Sequence, residues 1–267
     1  MNPTLDWLHA AEDHIRTVLD ELRPKLLETQ GKIEHKLKND KTAVTEMDTL
    51  VEDRLRAALQ EFDASIPFSG EESGADYTQK TLWLVDPIDG TEPFIRGLPF
   101  ATNMITLIDN GEPVMGIINN FGLGEYFSAI KGQGASCNGH PIQVSSRPLN
   151  RSFVSIGRPD PKETGLADIS DRVRRFMGGG ALMNVGATGY VMSAIAGGNI
   201  EARISYKGSA KPWDFAPGCL LIAEAGGRVA NIGSDAYDYR NVDLIAANAV
   251  VFDDLMRFVQ NFPSGAA

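Results

Sequence analysis

Four apolar residues, Leu82-Trp83-Leu84-Val85, run without a break into Asp86-Pro87-Ile88-Asp89-Gly90-Thr91. A short apolar run bounded by turn residues predicts a buried strand, and this one delivers two carboxylates at its end. Asp86 closes the strand and Asp89 sits in the turn that follows. Pro87 stiffens that turn, so both carboxylates can converge on one point, where the Ile88 carbonyl can join them. Magnesium is a hard cation that takes oxygen ligands, and carboxylates are its natural protein donors. Gly90-Thr91 would then open a helix whose free backbone N–H groups favour an anion.

Two further acidic features share the chain, Glu71-Glu72 after Gly70 and Asp214 after Trp213. Taken singly, an acidic pair is a solvated turn, Asp-Gly a hairpin turn, and an Asp after Trp a helix cap. Taken jointly with a carboxylate pair at a strand end, they point to a metal site beside a phosphate cradle. Other chemistries lack their residues. The four histidines (His9, His14, His35 and His140) lie outside these segments, against a phosphohistidine route. Cys137 and Cys219 are the only cysteines, which supports neither a disulfide framework nor a CxxC zinc site. No Gly-x-Ser-x-Gly elbow, Cys-x5-Arg loop or DxDxDG calcium loop occurs.

Around this centre the periodicity alternates between helix and strand. Leu8, Ala11, Ile15, Val18, Leu22 and Leu26 form one face of a long helix, interrupted or kinked near Pro24. A second helix is expected over 46–62, with Met47, Leu50, Val51, Leu55 and Leu59 inward. Thr45 and Asp48 stand at N-cap and N3 spacing. Strands are expected at 102–109, 113–120 and 125–131, with Asn110-Gly111 as a tight hairpin turn. The second half predicts strands at 142–145, 153–157 and 200–206. Its helices are expected at 168–176, 188–196, 213–225 and 251–258, and Gly226-Gly227 stops the third of them. Neighbouring antiparallel strands flanked by helices argue for a layered α+β fold. A boundary near residue 140 would divide an N-terminal half, 1–140, from a C-terminal half, 141–267.

Bulk properties narrow the partners. The chain has 267 residues, 43% of them apolar, enough for a large core. Its formal charge of −10 argues against broad attraction to nucleic acid or anionic membrane. With no basic-then-apolar leader at its start and no apolar run near the length of a bilayer span, a soluble cytoplasmic protein is expected.

Four segments together resemble the inositol monophosphatase family: Gly70-Glu71-Glu72-Ser73, the run from Trp83 to Thr91, the run from Lys131 to Gly139, and the run from Pro212 to Gly227. They occur in order and at family-like spacing over nearly the whole chain. The resemblance implies a five-layered αβαβα sandwich, homodimers, two or three magnesium ions and inhibition by lithium. It implies Glu71, Asp86 and the Ile88 carbonyl as ligands of one ion, and Asp86, Asp89 and Asp214 as ligands of another. Thr91 and Asp48 match the pair that, with Glu71, activates the attacking water. The Gly90 and Thr91 amides would hold phosphate oxygens. The implied reaction is hydrolysis of a small phosphate monoester, a myo-inositol phosphate in the family's eponymous case.

The substrate side departs from the inositol-specific pattern. Where those members carry a glutamate before Trp-Asp, this chain has Ser205 or Lys207, in a segment about two residues longer. Thr188, Ser205, Lys207 and Lys211 are the expected substrate contacts, and a cationic side chain here suits a second anionic group better than a bare polyol. Lys211-Pro212-Trp213-Asp214 resembles the histidinol-phosphate phosphatase branch. That activity, a 3′,5′-bisphosphate nucleotidase and a sugar phosphatase are the alternatives. A catalytically silent regulatory member is the non-enzyme alternative, and the intact acidic set argues against it.

Overall fold

In a computed structural model, which describes residues 3–38, 42–74, 76–157 and 169–261, two large sheets and three helix layers stack around four apolar clusters, and two short strands pair as a small separate ribbon. In chain order the first half holds α1 (Leu5–Thr29), β1 (His35–Leu37), β2 (Ala43–Thr45), α2 (Glu46–Phe62), β3 (Phe68–Gly70), β4 (Leu82–Asp89) and α3 (Thr91–Ile95). There follow β5 (Thr102–Asp109), β6 (Glu112–Asn120), β7 (Glu125–Ile130), β8 (Ala135–Cys137) and β9 (His140–Pro141). The second half holds β10 (Phe153–Ile156), α4 (Ile169–Met177), β11 (Ala181–Met183), α5 (Thr188–Ala196), β12 (Ala202–Ser205), α6 (Ala216–Glu224), β13 (Arg228–Asn231), β14 (Leu244–Ala247) and α7 (Phe252–Gln260).

Strands β3 to β9 form a seven-stranded sheet in chain order, antiparallel except for the β3–β4 pair. The other large sheet has the order β11-β10-β12-β14-β13, with β10 parallel to both its neighbours. Alternation sends Ile105 and Ile117 to the α1–α2 side, and Met104 and Ile118 to the side of α5 and α6. Helices α4 and α7 cover the outer face of the five-stranded sheet through Val173, Leu255 and Val259. The order is helix, sheet, helix, sheet, helix: the expected five layers.

The departures from expectation have local causes. Helix α1 runs unbroken through Pro24, which lies on the solvent face, where water can satisfy the carbonyl that proline leaves unpaired. Leu50 in α2 is 39% exposed rather than inward, because Met47, Val51 and Leu55 already fill the stripe facing the sheet. Residues 142–145 form no strand: the Val144 N–H bonds the Ala225 carbonyl at the end of α6 instead of a ladder partner. The helix expected over 213–225 is split. Pro212–Asp214 is a 3-10 turn and α6 starts only at Ala216, with Phe215 at φ −122° between them. The hairpin expectation held, with Asn110 and Gly111 at φ 51° and 85°.

Candidate active site

The β4 strand does not stop at Asp86. It continues to Asp89, which pairs with Thr102, and a bulge between the two aspartates bends the ladder. Asp89 is therefore a strand residue, not a turn residue as expected, and the bulge rather than a turn turns both carboxylates to one side. Asn103 holds the bulge open: its Nδ2 donates to the Pro87 carbonyl at 2.6 Å, and Asn119 Nδ2 donates to its Oδ1 at 3.0 Å. Gly90 follows at φ 82°, and a Cβ there would lie 2.7 Å from that of Ala187, so glycine is required on both counts.

Asp214 arrives from the other half of the chain. The Lys211 N–H donates to its Oδ2 at 2.7 Å, which fixes the 3-10 turn. Asp86, Asp89 and Asp214 each place a carboxylate oxygen within 4.8 Å of the others, and among the described residues no other such acidic group forms. Three anions this close repel, and their surroundings are dry. Burial first, then the neighbouring carboxylates, pushes Asp86 well above the usual range. Burial raises Asp89 to about 6, against the pull of the Gly189 and Thr188 amides. Burial and the charge of Asp89 raise Asp214 to about 8. Asp86 Oδ1 is buried with no hydrogen-bond partner. An orphaned buried carboxylate oxygen amid like charges is the donor set of a divalent cation.

Glu71 stands beside this group rather than within it. Its N–H bonds the Val85 carbonyl at 3.1 Å, which sets it next to Asp86. Its own Oε1 accepts from Lys38 Nζ at 2.7 Å, and the same ammonium bonds Glu72 at 2.6 Å. Burial works against that ammonium, but the two carboxylates outweigh it and raise the Lys38 pKa. Glu52 supports the turn, accepting the Glu72 N–H at 2.7 Å.

The Thr91–Asp48 pair is also assembled. Asp48 Oδ2 accepts from the Thr45 N–H at 2.7 Å and its hydroxyl at 2.6 Å, so the expected capping box forms. The other oxygen, Oδ1, receives the Thr91 hydroxyl at 3.3 Å, and the Ile88 carbonyl accepts from that hydroxyl at 3.2 Å. Burial raises the Asp48 pKa. One carboxylate thus caps a helix with one oxygen and faces the reactive centre with the other.

A cavity of about 290 Å³ opens onto Glu71 and Asp214, lined also by Thr188, Arg203, Ser205 and Lys211. Three larger clefts, of about 890, 920 and 400 Å³, lie elsewhere on the surface and include none of the three aspartates. Charge, not size, selects the site. Lys207 does not line this cavity. Its backbone adopts φ 49°, its N–H bonds Asp243 at 2.6 Å, and its ammonium lies 5.7 Å from the Tyr206 ring. The turn after β12 therefore carries it away from the expected contact. Asn103, Lys38 and Arg203 were not anticipated, because a lone Asn, Lys or Arg in an ordinary strand or loop carries no spacing signal.

An α+β sandwich that brings a buried carboxylate cluster to a strand bulge, beside a hydroxyl–carboxylate pair, belongs to a phosphomonoester hydrolase. The profile of the inositol monophosphatase family matches residues 6–261, and the chain belongs to that family. Inositol monophosphatase 2 of Solanum lycopersicum is 32% identical over 232 residues, covering 83% of this chain and 86% of that protein. Among solved structures, the Thermotoga maritima IMPase superposes with a TM-score of 0.81 at 25% identity, over 92% of this chain and 95% of its own. The extragenic suppressor protein suhB of Bartonella henselae superposes with a TM-score of 0.84 at 25% identity, over 94% and 99%.

Proposed function

We propose that this protein hydrolyses a small phosphate monoester with magnesium held by Asp86, Asp89, Asp214, Glu71 and the Ile88 carbonyl. The observation that carries the reading is the orphaned, buried Asp86 Oδ1 within a cluster of three aspartates whose oxygens lie within 4.8 Å. Bound there, magnesium supplies Lewis-acid charge to the phosphoryl oxygens and lowers the pKa of coordinated water. The chain supplies the rest. Thr91 and Asp48, hydroxyl to carboxylate at 3.3 Å, orient the attacking water and accept its proton at Asp48 Oδ1. The raised Asp48 pKa makes that oxygen a better proton acceptor than an ordinary carboxylate. The Gly90 and Thr91 amides hold phosphate oxygens, and Thr188, Ser205 and Lys211 face the rest of the ester from the cavity wall.

On this reading the ion count is two or three, lithium inhibits, and a homodimer works in the cytoplasm. Residues 1–140 supply most of the metal ligands, and 141–267 supply Asp214 and the substrate side. The test is phosphate release with magnesium from myo-inositol 1-phosphate, histidinol phosphate, 3′-phosphoadenosine 5′-phosphate and several sugar phosphates, each with and without lithium. No release from any ester would overturn the proposal. Preference for the inositol ester would place the missing glutamate's role on other residues.

A further inference from the structure

Arg203 is only 8% exposed, and its neighbours do not account for its charge. Its Nη1 donates to Ser155 Oγ at 2.7 Å, and Nη2 lies against Gly157. Its Nε is buried without a partner. Among the described residues it has no carboxylate within ion-pair distance. Burial lowers its pKa to about 10, while Asp89 and Asp214 act to raise it, so the guanidinium is charged at neutral pH. A buried cation with one neutral hydrogen-bond partner is unfavourable unless an anion completes its shell.

The place of that cation matters. Arg203 and Ser205 lie two residues apart on β12, hence on one face, and both line the cavity that opens onto Asp214 and Glu71. Ser205 is neutral, so nothing at that strand end cancels the guanidinium. Asp89 and Asp214 attract Arg203 only at longer range, and a divalent cation bound between them would cancel much of that attraction. Nη2, beside Gly157 on the cavity wall, would then be the guanidinium nitrogen that offers charge and a donor to the cavity.

We propose that Arg203 is the specificity-determining residue, and that the substrate is a phosphomonoester carrying a second anionic group, carboxylate or phosphate, which Arg203 binds. A guanidinium is suited to this because its planar donors match either anion. This rests on the phosphatase reading above and names its substrate class.

The experiment compares three esters: 3-phosphoglycerate, fructose 1,6-bisphosphate and glycerol 3-phosphate, whose tail is neutral. The wild-type protein is expected to have a lower KM for at least one of the two esters with an anionic tail than for glycerol 3-phosphate. Arg203→Met should raise that KM at least about tenfold more than it raises the KM for glycerol 3-phosphate, since a charge-assisted hydrogen bond to the tail is lost only where the tail is an anion. A gain for 3-phosphoglycerate alone identifies a carboxylate; a gain for fructose 1,6-bisphosphate alone identifies a phosphate. Should Arg203→Met fail to fold, Arg203→Gln, which keeps polar donors and removes the charge, carries the comparison with the same selective rise in KM. Calorimetric titration of the calcium-loaded protein with the same esters separates binding from turnover. If none of these three is hydrolysed, the titration alone decides Arg203, and the phosphatase reading stands or falls with the wider panel above. Equal weakening for all three esters, or none for any, overturns the assignment.

Discussion

Asp89 accepts the Gly189 N–H at 2.7 Å, so a β4 carboxylate in the first half of the chain holds the start of α5, one hundred residues later. The Thr188 N–H reaches the other oxygen at 3.1 Å. The first amides of a helix have no partner within it, and here an acid of the proposed metal centre provides one. The seven-stranded sheet and the middle helix layer are therefore tied together at the proposed metal centre.

That tie sets the outcome for Asp89→Asn. Burial raises Asp89 from 3.8 to about 6 even with its amide bonds, so the charged carboxylate destabilises the metal-free fold at pH 8. The neutral variant in EDTA at pH 8 should therefore melt at or above the wild-type temperature. Magnesium should no longer raise its melting temperature as it does for wild type, and turnover should fall by at least the ~10–100-fold typical of disturbed metal sites. Thermal melts with and without magnesium check this.

The metal-free protein should lose stability as pH rises. Unfolded aspartates release their protons near 3.8, whereas in the fold Asp89 holds its proton to about 6 and Asp214 to about 8. The folded state binds more protons across that window, so its advantage declines from about pH 4 to about pH 8. Magnesium competes with those protons. It should raise the melting temperature more at pH 8 than at pH 5.5, and an equal rise at both would contradict the carboxylate assignment.

Thr91→Ala removes a hydroxyl that bridges Asp48 Oδ1 and the Ile88 carbonyl. Turnover should fall ~10²–10⁴-fold, the usual range for general acid–base groups, with Thr91→Ser restoring most of it. Asp48→Asn should lose turnover and also about 1 kcal/mol of stability, because the same residue closes the capping box of α2. Paired kinetics and denaturant melts distinguish the two variants.

Gly189→Ala would place a Cβ 2.2 Å from Thr102 Oγ1 and 3.2 Å from Asp89 Oδ2. Something must shift, and overpacking of this kind costs about 1–3 kcal/mol. The shift falls on Thr102, whose hydroxyl donates to Asp89 Oδ2 at 3.3 Å, and on Met104, so magnesium affinity should weaken together with stability. A variant with wild-type magnesium dependence would separate α5 from the metal centre.

Local patterning was legible wherever a side chain's neighbours in sequence are also its neighbours in space. The α2 boundaries, its Thr45–Asp48 cap, the Asn110-Gly111 hairpin and the stop at Gly226 all obey short-range rules, and all were readable. The failures are of another kind. Pro24 reads as a kink, yet solvent exposure removes the cost; residues 142–145 read as a strand, yet their N–H partner is the end of a helix.

The acidic set, the family and the layered fold were legible in the sequence alone, because four short segments each keep their residue types at close spacing and follow one another in order along the chain. Tertiary structure decided the rest. Only packing could show that a bulge held by Asn103 turns Asp86 and Asp89 to one side. Only packing could place Lys38 on Glu71, carry Lys207 away from the cavity and leave Arg203 facing into it without an ion-pair partner. The physical reason is that a lone charge carries no periodicity. Its role depends on which charges, dipoles and solvent surround it, and those neighbours come from segments up to a hundred or more residues away in the chain.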